Sequence, residues 1–512
     1  MTDYSKGLFK QLTEQTEKAG RLEAENKELK AENKGLKAKV ENLEAKVDNL
    51  TANLEALVAT AVSKAVEPLN VLICHKEEKI QKANDEIDRL KAVIDKDSNN
   101  SSKPPSSNGL RKVSNSREPS GKKVGGQRGH KGHCQSIPKN LDELVKEGKA
   151  QHVVRDETGG ARGYVTDWIV DIVTMPVYTE VRRAPGKPPS VAYGEEIQAR
   201  AVYLTNVGML SLNRLAEYFA VMTGGLITPS EGTLLSFSER VASRVDLECL
   251  IQELLNGTVL HVDDTPVRVT QRPDASGEKM EKASHTTLSG YVRVCSNEST
   301  TVLTANAHKD AEGVKRDGIL TRFFGTVVHD HEAKFYGYGK NDATCGAHLC
   351  RELKGLEELG KVEWGGRMRA FMLEINAQKE EDIAENKTAC DPLRLRLYET
   401  CYDELVDQGA EILKTMRKKS LGQDDLRKIV KRLCKYKDAY LLFMRDYRIP
   451  FTNNQAERDL RHCKTKEKIS GCFRSWSGLD TYCLVRSLID TARKRGLNVM
   501  LALRACCAPS PR

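Results

Sequence analysis

A chain of 512 residues is long enough for a sizeable core and for more than one domain. With 30% charged residues, 5% aromatics and a net charge of +9, its composition points to long charged helices and a polyanionic partner. No run approaches the ~18 consecutive apolar residues of a membrane span, and the 14 cysteines show no paired spacing. A transmembrane helix is therefore excluded, and reduced thiols are expected rather than a disulfide framework. The opening MTDYSKGLFKQ has no apolar stretch behind a basic head, so a cytoplasmic protein is expected.

Residues 8–97 read as a coiled coil. Leu22, Leu29, Leu36, Leu43, Leu50 and Leu57 recur at heptad spacing, with Asn26, Asn33, Val40, Val47 and Leu54 at the alternate seam position. Such a seam calls for a partner helix, and two seam asparagines favour a two-stranded, in-register pair, because other pairings strand their amides. A homodimer or higher assembly is expected; the alternative is one long helix packed on its own chain. Pro68 interrupts the pattern, and helical character resumes from Glu77 to Ile94.

Residues 98–139 form a basic flexible linker. DSNNSSKPPSSNG (97–109) ends all periodicity, and the following basic, glycine-rich stretch has almost no apolar side chains. From Ser98 to Lys139 nine Lys/Arg face one acid, Glu118, so the segment carries +8 of the formal +9. Arg111, Lys112, Lys122, Lys123, Arg128 and Lys131 suit a phosphate backbone, where affinity comes from released counterions and needs no rigid fold. The alternative is a simple tether.

At 140–190, the alternation in YVTDWIVDIVTMPVYTEV (164–181) predicts a small β-ribbon. Residues 191–255 are expected to be helical, with 211–241 reading as helix, glycine turn, helix. Thr228 would be the N-cap, Pro229 the first helical residue and Glu231 the capping-box glutamate. This helix-turn-helix-like pair is a candidate DNA reader, although two packed helices occur in many folds.

TVLHVDDTPV (258–267) climbs from an apolar strand into two adjacent acids. Successive strand side chains point to opposite faces, so only one of Asp263 and Asp264 faces a given site while the strand stays regular. SGYVRVCS (289–296), TTVLTA (300–305) and GTVVHDHEAKF (325–335) are further strand candidates, and the last ends on Asp330. Neighbouring strands that end on carboxylates suit hard divalent cations. The third acid is expected to be Glu457, in a helix started by Asn453 and Asn454, where Glu457, Arg461, Lys464 and Lys468 share one face. Glu457 also stands three residues after Asn454, the place of a capping-box partner, and spacing alone does not decide between the two roles. The 126 residues between Asp330 and Glu457 are too many for a loop, and Leu426, Ile429, Val430 and Leu433 mark amphipathic helices there. Cys345, His348 and Cys350 lie close in CGAHLC, but three potential ligands without a second pair nearby make a poor zinc site.

HVDDTPV, HDHEAKF, CGAHLCRELKGLEE and NNQAERDLR…KISGCFRSWSG, in this order behind the zipper and SSKPPSSNG…GGQRGHKG, resemble the insertion-sequence-66 family of bacterial transposases over nearly the whole chain. The resemblance implies an α+β multidomain protein with a ribonuclease-H-like α/β catalytic core of the DDE type at 256–344 and 451–505, split by a helical insertion at 345–450. It carries over Asp263, Asp330 and Glu457 as the catalytic and metal-binding triad. Asp264 becomes a supporting residue, where the family usually has glutamate. Two Mg²⁺ or Mn²⁺ ions, double-stranded DNA at the element's ends and target, and a bacterial, nucleoid-associated setting follow as expectations, with small accessory proteins as further candidate partners. The implied reaction is cleavage at the end of an insertion sequence and joining of the 3′-hydroxyl to target DNA. The family's common cysteine-paired zinc ribbon has no ligands here, since 140–190 contain no cysteine, and zinc is not expected. Two rivals share these residues: a nuclease of the same fold without strand transfer, and a non-catalytic coiled-coil DNA-binding protein whose acids are caps and surface charges.

Overall fold

The computed structural model describes residues 58–96, 100, 137–148, 150–155, 166, 168–170, 175–180, 191–274, 279–282, 287–418 and 420–508, with individual residues between 18 and 39. For 58–73 it describes the backbone only. The described residues of 18–39 are helical. Helix α1 (Val58–Ile94) continues through Pro68, whose missing N–H removes one ladder bond without ending the helix. Lys18 pairs with Glu86 at 3.7 Å and Lys76 with Glu32 at 3.0 Å. These pairs join the earlier helical residues to α1 of the same chain in an antiparallel sense. The seam leucines, Leu22 to Leu57, and the linker cations Arg111, Lys112, Lys122, Lys123, Arg128 and Lys131 lie outside the described residues.

Among the described residues α1 is followed by helices α2 (Leu141–Lys146), α3 (Glu195–Asn206), α4 (Leu212–Met222) and α5 (Glu231–Ala242). The described residues of 150–180 belong to no strand, and the rest of the expected β-ribbon lies outside them. After α4, Gly224 and Gly225 turn the chain with φ of 61° and 83°, which a side chain would disfavour. Helix α5 begins at Glu231, two residues later than a cap at Thr228 implies; Ser230, itself a cap-forming type, stands before it. Helix α2 and residues from Asn213 in α4 belong to a smaller compact unit (Ser114–Ser190, Asn213–Ser230), while α3 and α5 belong to a larger one.

In the larger unit α6 (Leu247–Leu255), started by an Asp246 side chain that accepts from the Cys249 N–H, leads into β1 (Val259–Val269). A small ribbon, β2 (Gln271–Pro273) and β3 (Met280–Lys282), precedes β4 (Leu288–Ser296) and β5 (Thr301–Asn306). Helix α7 (Ala311–Asp317) then leads to β6 (Thr326–His329) and β7 (Asn341–Thr344). The five-stranded sheet has the order β5-β4-β1-β6-β7. Strands β1, β4 and β5 are antiparallel, whereas β6 and β7 run parallel to β1. The aspartates therefore lie within β1, which continues to Val269 instead of ending on them.

Alternation along β1 sorts its side chains into two cores. Leu260 and Val262 pack with Leu254, Val327 and Phe335 on one face; Val267 and Val269 pack with Ala456, Leu460 and Tyr482 on the other. A third core belongs to the insertion, helices α8 (Gly346–Glu358), α9 (Trp364–Ala384), α10 (Pro392–Thr415), α11 (Gln423–Lys435) and α12 (Lys437–Arg445). Leu426, Ile429, Val430 and Leu433 are all buried there with Trp364, Met372 and Tyr402. Each fully buried side chain of this kind is worth about 1.5–3 kcal/mol. Trp364 also satisfies its indole by donating to the Leu405 carbonyl at 2.6 Å. The chain then returns to the sheet as α13 (Asn454–Ser470), α14 (Trp476–Lys494) and α15 (Val499–Cys507). Among the described residues no helix is long and apolar enough to cross a membrane.

Candidate active site

Parallel pairing of β1 with β6 covers only Val259–His261 against Thr326–Val328. Beyond it the two strands carry acids: Asp263 two residues further along β1, and Asp330 immediately after β6. The turn after Asp330 is tight. His331 adopts a left-handed φ of 65° and donates its N–H to Nδ1 of the buried His329 at 3.2 Å, while the Glu332 N–H donates to Asp330 Oδ1 at 3.3 Å.

Asp263 and Asp264 separate as the pleat requires. Asp264 is paired across the sheet with Arg293, whose Nε and Nη2 donate to its two carboxylate oxygens at 2.9 and 3.3 Å. Lys334 also donates to Asp264, and Arg293 reaches on to Asp317. The Asp264 and Arg293 side chains are buried, so this carboxylate is committed to holding two cations in the core. Asp263 lies on the other face, with Val267, Val269 and helix α13.

Helix α13 brings Glu457 to that face. Its start is pinned by Asn453, a fully buried residue whose Oδ1 meets His261 Nδ1 at 2.8 Å and whose Nδ2 donates to the Val262 carbonyl at 2.8 Å. Asn453 is the N-cap, so Glu457 stands in the fourth helical position instead of the third, and the Asn453 N–H goes to Cys345 Sγ at 3.1 Å. The capping-box place is thus taken by Ala456, and Glu457 is left for other partners. Arg351 Nη2 donates to Glu457 Oε1 at 3.3 Å, and His348 Nδ1 lies 3.5 Å from the same oxygen.

Asp263 feels the neighbouring acids. Burial pushes Asp263 well above the ordinary aspartate range, and repulsion from Asp330, Asp264 and Glu457 adds to it. Asp330 is raised as well, by burial first and then by Glu332. Among the described residues, neither Asp263 nor Asp330 forms an ion pair with lysine or arginine. An all-oxygen set with repulsion that a cation would relieve fits a hard divalent ion such as Mg²⁺.

Of the cations expected beside Glu457, Arg461 and Lys468 are exposed, whereas Lys464 is turned inward, donating to the Pro266 carbonyl and lying 3.5 Å from Glu467. The described cysteines are free. The sequence reading missed Arg293, Lys334, Asn453 and Arg351 as supports. Arg293 carried a signal, a lone charge inside an apolar strand run, which requires a buried partner. The other three depend on pairings across long chain separations.

A family model described as the Transposase IS66 family matches residues 190–481, more than half of the chain and all of the described site. A family of unknown function (DUF6444) matches residues 12–136. No curated protein matches the chain.

Proposed function

The chain belongs to the IS66 family of transposases, and from that premise we propose that Asp263, Asp330 and Glu457 are the carboxylates of a DDE-type enzyme that cleaves the ends of an insertion sequence and joins the 3′-hydroxyl to target DNA. The observation that supports the reading is the placement of the acids, Asp263 on β1, Asp330 directly after β6 and Glu457 on α13, with burial first and then Asp330 and Glu457 contributing to the raised Asp263. A central β1 with antiparallel neighbours on one side and parallel ones on the other supports a ribonuclease-H-like core at 256–344 and 451–505, with 345–450 inserted.

Two Mg²⁺ or Mn²⁺ ions held by these acids would supply charge neutralisation at the attacking and leaving oxygens of a phosphodiester. The chain's own residues fix the geometry. Asp264, tied to Arg293 and Lys334, locks β1 to the segment after Asp330; Asn453 fixes α13 against β1 beside Asp263; Arg351 orients the Glu457 carboxylate. Double-stranded DNA would be held by the linker cations and by Arg461 and Lys468, and the heptad segment at 8–97 would join two copies so that both element ends are held.

The test uses a duplex with a pre-cleaved 3′-hydroxyl end and a second duplex as target. The expected product in Mg²⁺ is the covalent joint between them. Hydrolysis without joining would make the protein a nuclease, and no metal-dependent reaction at all would leave only DNA binding.

A further inference from the structure

Three ligating side chains of different chemistry lie close together in the described residues. Cys345, the residue before α8, His348 in its first turn and Glu457 of α13 offer a sulfur, an imidazole nitrogen and a carboxylate oxygen, all within 4.8 Å of one another. Cys345 and His348 are three apart at a helix start and so face the same side. The two helix starts are clamped by the Asn453 N–H on Cys345 Sγ and by the Gly346 N–H on the Phe451 carbonyl at 2.8 Å. His348 Nδ1 is buried, has no hydrogen-bond partner and faces Glu457. Cys350 is not in the set; the third ligand comes from a helix far along the chain, which local spacing could not reveal.

We propose that Cys345, His348 and Glu457 bind one transition-metal ion of the zinc class, with the fourth tetrahedral position open to water beside the partly exposed Glu457. A thiol in the set disfavours Mg²⁺, which takes oxygen ligands, and suits Zn²⁺ or Co²⁺. Bonds of about 2.0–2.3 Å put tetrahedral ligand atoms about 3.3–3.8 Å apart, so the three side chains would close in on the ion. Three protein ligands and a water form the open type of site. One consequence rests on the proposed function: Glu457 would serve both sets, so a zinc-class ion would draw it from the Mg²⁺ triad and inhibit cleavage.

The test is a titration of the full chain, first stripped by chelator, with Co²⁺ alone. A thiolate-to-cobalt charge-transfer band should appear in the near ultraviolet and saturate at one ion per chain. It should vanish in Cys345→Ser, where the serine oxygen still accepts from Asn453. In His348→Ala the band should shift to roughly tenfold or higher cobalt concentration, which decides the matter should the serine variant fail to fold. Asp263→Asn should leave the band intact. No charge-transfer band, an unchanged band in Cys345→Ser, unchanged cobalt affinity in His348→Ala, or loss of the band in Asp263→Asn would each overturn the site. Failure of the DDE reading shows up elsewhere, as the absence of Mg²⁺-dependent cleavage without cobalt.

Discussion

Asp264 and Asp263 are neighbours with opposite electrostatic accounts. Asp264 neutralises Arg293 and Lys334 in the core, and Asp264→Asn leaves Arg293 only Asp317 and Lys334 only Glu332 as acidic partners. Removing one partner of a buried pair costs about 3–5 kcal/mol when the other charge is left alone, so chemical denaturation should show a loss below that range. Asp263→Asn instead removes a repelled carboxylate and should leave metal-free stability equal or higher. The pH dependence follows the same sign. Because Asp263 is raised in the folded chain, folding takes up a proton there. Its contribution is fully present below the ordinary aspartate pKa of about 3.9 and is lost as pH rises through the raised one. A divalent ion should restore that loss, so the stabilisation of thermal melts by Mg²⁺ should grow with pH; a shift independent of pH would contradict the account. At this scale the sequence was informative, because strand alternation alone separates the two aspartates. It left open whether Glu457 completes a capping box, since Asn453 and Asn454 are both cap-forming and only the bonds to His261 and Val262 select the first.

Among elements, the junction of α8 with the start of α13 sets where Glu457 lies. Gly346 is required there: a Cβ would stand 2.2 Å from the Phe451 ring. Gly346→Ala should therefore push Phe451 and the start of α13 away, with an overpacking cost of about 1–3 kcal/mol and a fall in cleavage greater than the loss of folded protein. Wild-type melting and cleavage in this variant would show that the junction is slack. The strands and the amphipathic face of α11 were readable because period-2 and helical patterns are local. The partners of those faces were not, because the pairing of β1 with β4 and β6, and the return of α13 to β1, join distant segments. The residues after Asp264 show the limit: the strand was expected to end on its acids, yet β1 runs on past Pro266 along β4, where β6 no longer pairs.

For the whole molecule, the heptads at 22–57 predict at least a dimer at micromolar concentration by light scattering. A monomer would place the seam against the chain's own α1, the arrangement outlined by the Lys18–Glu86 and Lys76–Glu32 pairs. Neutralising Arg111, Lys112, Lys122, Lys123, Arg128 and Lys131 should weaken binding to all DNA sequences and lower the logarithmic salt slope by about 0.9 for each phosphate that is no longer neutralised; an unchanged slope would make the linker a tether. The central claim is that three acids from β1, β6 and α13 form one metal-dependent catalytic site. Its most direct test is Mg²⁺-dependent cleavage of a defined element end by the purified chain beside Asp263→Asn, Asp330→Asn and Glu457→Gln, each checked for folding and DNA binding. The account predicts that the parent chain cuts while all three variants fold, bind and do not cut; cleavage at the parent rate by any one of them, Glu457→Gln above all, would contradict it.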